Sequence, residues 1–484
     1  MTVAGEPVRP AGPLLPSGLT AWHFWFPIVC LAVGIALLET RLSFHGLVTF
    51  CVYLACVVIV AADPRWAYYL LPITVPWGSL LPLSIGSSSL TPTDAIVATL
   101  LLSFFVWLAG SRLLHVPYQP WLVALTALIS AMLLSILGTE SISASIPEIV
   151  KWTEVLVTAA LTPMYLTSQR EIWRVLTIAV ASASAEALLG LGQFLLHKGP
   201  KAFEYHHRFL RAFGTFGQPN PLAGYLNMIL PVTVALAFLT RRQWLWIAAL
   251  VIGAGSLATL SRAGWAAAAL ALIVVACYYL RWARVVVSLG AVAAALFVLL
   301  TVLGTVPVQP LASVANSFGL NGVNFAHHTH ANFSEIERAA HWVAGLRMFA
   351  AHPLVGVGIG NYATAYPAYH VADFTAALGH AHDYFINIAA ETGIFGLVTY
   401  TLFVTTGFIT CVRQARNYGT NVLAGAVAIG ILGLWTSTIF HNLFDVMYVH
   451  EMPVLLGLMM GLLVAAALVS PVPATRSRAL SALS

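Results

Sequence analysis

Apolar runs of about 17 to 25 residues, each long enough to cross roughly 30 Å of hydrocarbon as a helix, succeed one another along nearly the whole chain. About 14 of them lie near 22–38, 45–62, 66–83, 93–109, 119–137, 151–166, 171–196, 222–239, 243–260, 263–280, 283–304, 383–411, 421–440 and 453–470. In lipid each backbone amide must find its partner within its own segment. The expected fold is therefore all-α: a polytopic transmembrane helix bundle of about 12 to 14 spans, with one large extracytoplasmic helical loop. Pro72, Pro76 and Pro82 interrupt the third run, and Lys151 with Glu154 makes the sixth amphipathic. Only 8% of the 484 residues are charged, against roughly a quarter in soluble domains, which excludes a soluble globular enzyme.

Basic residues set the orientation. With a cytoplasmic N-terminus, the short inner loops receive the pairs Arg170/Arg174, Arg241/Arg242, Arg281/Arg284, Arg413/Arg416 and Arg476/Arg478, as the positive-inside rule requires. The chain then divides into a cytoplasmic tail at 1–20, a transmembrane bundle at 21–304, an extracytoplasmic loop at 305–381, a second part of the bundle at 382–470 and a cytoplasmic tail at 471–484. Lys198, Lys201, Arg208, Arg211, Arg262, Arg338 and Arg347 stay outside against this trend, which points to an anionic ligand there. The net charge of +5 comes without a basic stripe interleaved with aromatics, so nucleic acid is not a partner. All five cysteines fall inside apolar runs and read as packing residues, with neither a disulfide framework nor metal spacing. Met1–Thr20 lacks the apolar core of a cleaved signal peptide.

Polar chemistry concentrates at the outer segments. In the stretch His380–Gly396, Asp383, Asn387 and Glu391 fall at i, i+4 and i+8, so one helical face carries three polar groups into apolar surroundings and must look inward or into a wet cavity. His382 sits at the rim, where an imidazole could take a proton from a hydroxyl; a histidine satisfied by its own backbone is the structural alternative. The loop His197–Pro221 holds Arg208 and Arg211 ahead of a Gly214–Pro221 turn containing Asn220, a candidate phosphate cradle at a helix start, with a solvated basic loop as the alternative on charge alone. Arg262, in the minimal turn Thr259–Gly264, either snorkels to lipid phosphates or faces a shared pocket. His327, His328 and His330 could bind metal, but without a carboxylate or cysteine nearby they read first as a mobile histidine-rich loop. Ser334 with Glu337 gives a capping-box pattern that opens a helix running to His352-Pro353 and carrying Arg338 and Arg347. Gly356–Asn361 reads as a flexible backbone turn, because no strand precedes it. Asp94 and Glu186 read as buried carboxylates paired within the bundle. The loop from Phe440 to Glu451 adds His441, Asp445 and His450 to the outer face.

Four segments in this order resemble the O-antigen ligase and polymerase superfamily of bacterial polytopic membrane glycosyltransferases: Gly214–Pro221, Leu260–Gly264, Pro353–Tyr362 and His380–Gly396. The resemblance covers roughly residues 200 to 450. It departs from the usual histidine-asparagine at His382-Asp383. What it implies is transfer of a glycan from an undecaprenyl-pyrophosphate carrier to an acceptor hydroxyl at the outer face of the inner membrane, inverting and without metal or other cofactor. By this resemblance His382, Arg262 and Arg338 are the catalytic residues. Arg211, Arg208, Asn220, Arg347, His380, Asp383, Asn387 and Glu391 are then candidates to bind substrate. Partners would be the carrier-linked donor, a lipid- or glycan-linked acceptor and the bilayer. Three acceptor classes stay open, for ligases, polymerases and protein O-oligosaccharyltransferases. A small-anion transporter is the alternative of another class.

Overall fold

The computed structural model describes residues 44–85, 88–111, 116–205, 208–302, 325, 333–417 and 421–469. The run near 22–38, the histidines at 327, 328 and 330, and both tails lie outside the described residues. Fifteen α-helices carry nearly all the regular structure described. Two antiparallel hairpins accompany them: β1 (Leu83–Ile85) with β2 (Ser88–Leu90), and β3 (Glu204–Tyr205) with β4 (Phe209–Leu210).

Among the described residues eight helices are long and apolar enough to cross a membrane: α1 (Phe44–Ala62), α3 (Pro92–Ser111), α4 (Pro120–Ser135) with the 3-10 turn that continues it to Gly138, α6 (Gln169–Leu196), α7 (Pro219–Thr240), α9 (Arg262–Tyr279), α13 (Tyr384–Asn417) and α14 (Val422–His441). Two shorter apolar helices join them, α8 (Gln243–Ala258) and α15 (Met452–Leu468). This is an all-α fold of the multi-pass membrane type. The proline-bearing third run forms only the 13-residue α2 (Arg65–Trp77), about 20 Å long and too short for a full span. Prolines 72 and 76 remove two amide donors within it, and a 3-10 turn at Gly78–Leu80 ends it before Pro82. The sixth run extends backward into the 24-residue α5 (Ile142–Tyr165), and α10 (Arg281–Val302) follows the run near 283–304.

Burial follows the pattern of side chains. Nearly every residue of α15 is buried, as a helix apolar on all sides must be. It packs along α5, while α14 packs along α7 and α9. Small residues let these backbones approach: a Cβ at Gly457 would lie 2.7 Å from the Val155 carbonyl oxygen, and one at Gly430 would lie 2.7 Å from the Val232 Cα. Between α7, α8 and α9, the buried Asn227 accepts from Ser256 Oγ (2.8 Å) and donates to the Gly264 carbonyl (2.8 Å). That amide fixes the start of α9, where Arg262 stands. The four described cysteines are free and helical, and Cys56 and Cys411 are buried.

The helix α13 is two helices in sequence, because Gly393 takes φ 64°, ψ −158° inside it. The segment 353–361 braces the break, with Ile394 N donating to Pro353 O (2.8 Å) and Val357 N to Ala390 O (3.0 Å). Gly356–Asn361 is therefore not the flexible turn that its glycines suggest. Its middle is buried, and Asn361 accepts from Ser141 N (2.9 Å) and donates to Ser145 Oγ (3.0 Å). A Cβ at Gly393 would lie 2.3 Å from the Leu354 carbonyl, and left-handed φ already disfavours any other residue there. Gly393→Ala is expected to cost about 3 kcal/mol or more. Thermal unfolding in detergent should show a lowered midpoint, while Gly290→Ala, where a Cβ meets nothing within 4 Å, leaves it unchanged.

Candidate active site

Three elements meet at one end of the bundle: the loop 208–221 leading into α7, the turn 259–262 at the head of α9, and the stretch 380–384 at the head of α13. The connection 442–451 closes over them, with Tyr384 N donating to Asn442 O (2.8 Å). Helix α11 (Phe333–Ala351) packs against α13 beside them.

The turn before α7 is positioned by two acceptors on α6, the buried Glu186 and the half-buried Gln193. Glu186 accepts from Thr215 N (2.6 Å) and Thr215 Oγ1 (3.1 Å), and Gln193 Oε1 accepts from Gly214 N (2.7 Å). Arg211 is thereby delivered to the cluster. Its Nε donates to Thr259 O (2.9 Å), and its Nη2 donates to Asn220 Oδ1 (3.0 Å). Burial, then the neighbouring Arg338, draw the Arg211 guanidinium below its ordinary pKa, although an arginine so placed remains cationic. Asn220 in turn donates to Asp445 Oδ2 (2.7 Å).

Asp445 is the hub. It is 8% exposed, and its Oδ1 accepts from Val446 N (2.9 Å) and lies 3.3 Å from His382 Nδ1 and 3.9 Å from His380 Nε2. Burial alone would raise this carboxyl; the His382 hydrogen bond and the positive potential of His382, His380 and Arg338 outweigh it and hold the group well below the usual range. An unbroken path of hydrogen bonds thus runs from Arg211 through Asn220 and Asp445 to His382. His382 itself takes a left-handed φ of 56°, and Leu260, just before Ser261 and Arg262, takes 51°. Backbone strain of this kind persists where the surroundings enforce it.

Arg262 occupies the first turn of α9, whose N-cap Ser261 accepts from Gly264 N (3.3 Å). A cation at the positive end of a helix dipole is poorly placed for stability and well placed for an anion. It forms an ion pair with Glu335 of α11. Helix α11 begins at Phe333, one residue before the expected start, and the Ser334 hydroxyl bonds the Glu335 carboxylate (3.2 Å). Arg262, Glu335 and Arg338 line a cavity together with Ala263, Trp342, Phe440 and Phe444. Two buried donors on this lining, Arg338 Nε and the Trp342 indole Nε1, have no hydrogen-bond partner among the described residues. Unpaired buried donors are costly, and this pair suits a ligand rich in oxygen.

Other expected contacts are engaged elsewhere. Asp383 caps its own helix, accepting from Phe385 N (2.8 Å) and Ile386 N (3.0 Å). Asn387 accepts from Ala381 N (3.0 Å) and donates to Glu391 (3.1 Å), while Glu391 accepts from Tyr362 N (3.0 Å). These three therefore fasten the 353–362 brace and the turn bearing His382, rather than standing open to a ligand. Arg347 donates to the carbonyls of Tyr369 and His370 at the end of α12 (Tyr362–Tyr369), and Arg208 is exposed on the β3–β4 hairpin. Asp94 caps α3 through Thr91. Among the described residues, two groups offer metal-ligand spacing, with ligand atoms within 4.8 Å: His380, His382 and Asp445, and the acidic set Asp94, Glu154 and Glu451.

Asp445, Glu335 and Trp342 are the residues that sequence reasoning did not assign to the site. Asp445 was legible only as a carboxylate on the outer face. Trp342 lies one turn beyond Arg338, so the helical period places it on the same face.

An all-α multi-pass protein with an imidazole–carboxylate pair beside an arginine-lined cavity is the class defined so far. Residues 247–401 match the family model described as O-antigen ligase. The match covers about a third of the chain, from α8 through the first part of α13, and supports the O-antigen ligase superfamily. No curated protein matches the chain.

His341 backs the site: it is fully buried, stacked on Tyr366 at 4.6 Å, with its ring 5.4 Å from that of His382. Burial, then His382, lowers its pKa from 6.5 to about 4, and burial does the same to His380, also to about 4. Both are neutral in the folded protein near neutrality. Between pH 6.5 and 4 the unfolded chain binds protons that the folded one refuses, so stability should fall as pH drops through that window. Thermal midpoints at pH 7 and 5 test this, and His341→Phe should flatten the dependence.

Proposed function

We propose that the protein transfers a glycan from an undecaprenyl-pyrophosphate carrier to an acceptor hydroxyl, as an O-antigen ligase, at the extracytoplasmic face of the bacterial inner membrane. The observation that carries this reading is the cavity in which Arg262, Arg338 and the Trp342 N–H, unpaired among the described residues, stand beside Phe440 and Phe444. Guanidinium forks suit a diphosphate, and the aromatic wall suits the prenyl chain attached to it.

The chemistry follows from the pair beside it. Ionised Asp445 accepts the Nδ1 proton of His382, which leaves Nε2 as the basic nitrogen. His382 removes the acceptor's hydroxyl proton as that oxygen attacks the anomeric carbon. The carbon–oxygen bond to the diphosphate breaks, its electron pair leaves with the diphosphate, and the centre inverts. Arg262, Arg338 and Trp342 meet the charge that grows on the leaving oxygen, a form of stabilisation worth several kcal/mol. Arg211 acts through Asn220 and Asp445, linking the clamp to the base.

In membranes supplied with carrier-linked oligosaccharide, Arg262→Ala or His382→Ala should lower transfer by about a hundredfold or more. Near-normal transfer by Arg262→Ala would sink the assignment. Asp445→Asn should lower kcat with little change in KM for the donor, because it disturbs the base and not the clamp. The mechanism uses no metal, so EDTA should leave transfer intact; activity lost to EDTA and restored by a divalent ion would recast His380, His382 and Asp445 as ligands. Offering lipid A core, a second carrier-linked glycan or a protein serine separates ligase from polymerase and from O-oligosaccharyltransferase, according to which acceptor gains mass.

A further inference from the structure

We propose that Glu335 is an internal counter-anion of the donor site, holding the Arg262 fork when the diphosphate is absent and returning to it to drive the diphosphate product out. This inference rests on the glycan-transfer reading above. Glu335 pairs with the same guanidinium that the leaving group needs, and both line one cavity. The pair is asymmetric: the Glu335 side chain is 16% exposed and Arg262 62% exposed, so the carboxylate is the settled partner and the arginine the movable one. Burial alone would raise the Glu335 carboxyl, but the Arg262 hydrogen bond and charge lower it, so it remains an anion. A diphosphate entering the cavity therefore meets a like charge already seated, and the ion pair must open for it.

The consequence is greatest after transfer. The donor is a diphosphate diester, whereas the released carrier is a monoester with an additional ionisable oxygen, so arginines alone would hold product more tightly than substrate. A carboxylate competing for Arg262 weakens both, and it restores turnover by displacing the product. Because Glu335 stands three residues before Arg338 on α11, one helical face bears both the clamp and its competitor. Glu335 is thus a positioning residue acting through Arg262.

The strength of the effect follows from the pair. A partly exposed ion pair occupied by its internal partner leaves the arginine free in only a fraction of molecules, and neutralising that partner should tighten diphosphate binding by roughly two- to sixfold. The experiment measures binding of undecaprenyl pyrophosphate to the purified full-length protein in detergent micelles, together with steady-state transfer. Glu335→Gln should bind the diphosphate more tightly, show stronger product inhibition and turn over more slowly at saturating donor. In the Arg262→Ala background the same change should do nothing to binding, as a double-mutant cycle requires. Glu335→Ala, which removes the charge without the amide, should reproduce the tightening if Glu335→Gln proves unstable.

Unchanged or weaker binding by both Glu335 variants, with Arg262→Ala still weakening it, would overturn this inference and leave the donor site standing. Binding indifferent to Arg262 as well as to Glu335 would overturn both.

Discussion

A buried carboxylate at the crossing of three chain segments organises this end of the molecule. An ionised group taken out of water must be matched on every side, and Asp445 is matched by Asn220 from the head of α7, by the amide of Val446 and by His382 ahead of α13. Each partner is brought in by its own local device: the Gly214 turn seated on Glu186 and Gln193, the Asp383 cap, and the anchoring of Asn442 to Tyr384. The carboxylate thus converts three loops into one surface. Its low pKa keeps this charge in place across the range in which histidines titrate.

Around that hub, charge is divided by position. On one side, His341 and His380 each meet the His382 ring edge to face and His382 pairs with Asp445, with burial keeping His341 and His380 neutral. On the other, arginines at α9 and α11 border an apolar wall, with Glu335 the acidic residue lining the same cavity among the described residues. The Asn220 amide, itself uncharged, links Asp445 to Arg211, whose Nε in turn reaches the Thr259 carbonyl ahead of α9.

Much of this was legible in the sequence where local rules apply. Helical segments at 93–109, 171–196, 222–239, 263–280 and 421–440 emerge from apolar length alone, because lipid leaves the backbone no alternative. The site-bearing stretches announced themselves as cations and histidines outside the expected pattern, and Arg211, Asn220, Arg262, Arg338, His380 and His382 do come together. What stayed hidden depends on partners distant in sequence. Asp445 meets His382 across 63 residues, and Glu335 meets Arg262 across 73. The same distance effect misread Gly356–Asn361: Gly356 lies against the backbone of Glu391 and Thr392, Gly358 against Thr139 and Gly360 against the Ala144 carbonyl, and composition alone cannot distinguish such close approach from looseness. The polar stripe of Asp383, Asn387 and Glu391 does face inward, yet its hydrogen bonds go to backbone amides and to one another.

The joint at Gly393 has a mechanical meaning for a protein embedded in a fluid of variable thickness. The nine residues that precede it are fastened to the 353–362 segment, while the stem from Ile394 to Asn417 is free of that attachment beyond its first amide. A bilayer that thins or thickens acts on the stem. The turn bearing His382 takes its bearings from Asn387 and from the 442–445 connection, so tilting of the stem need not carry the imidazole with it.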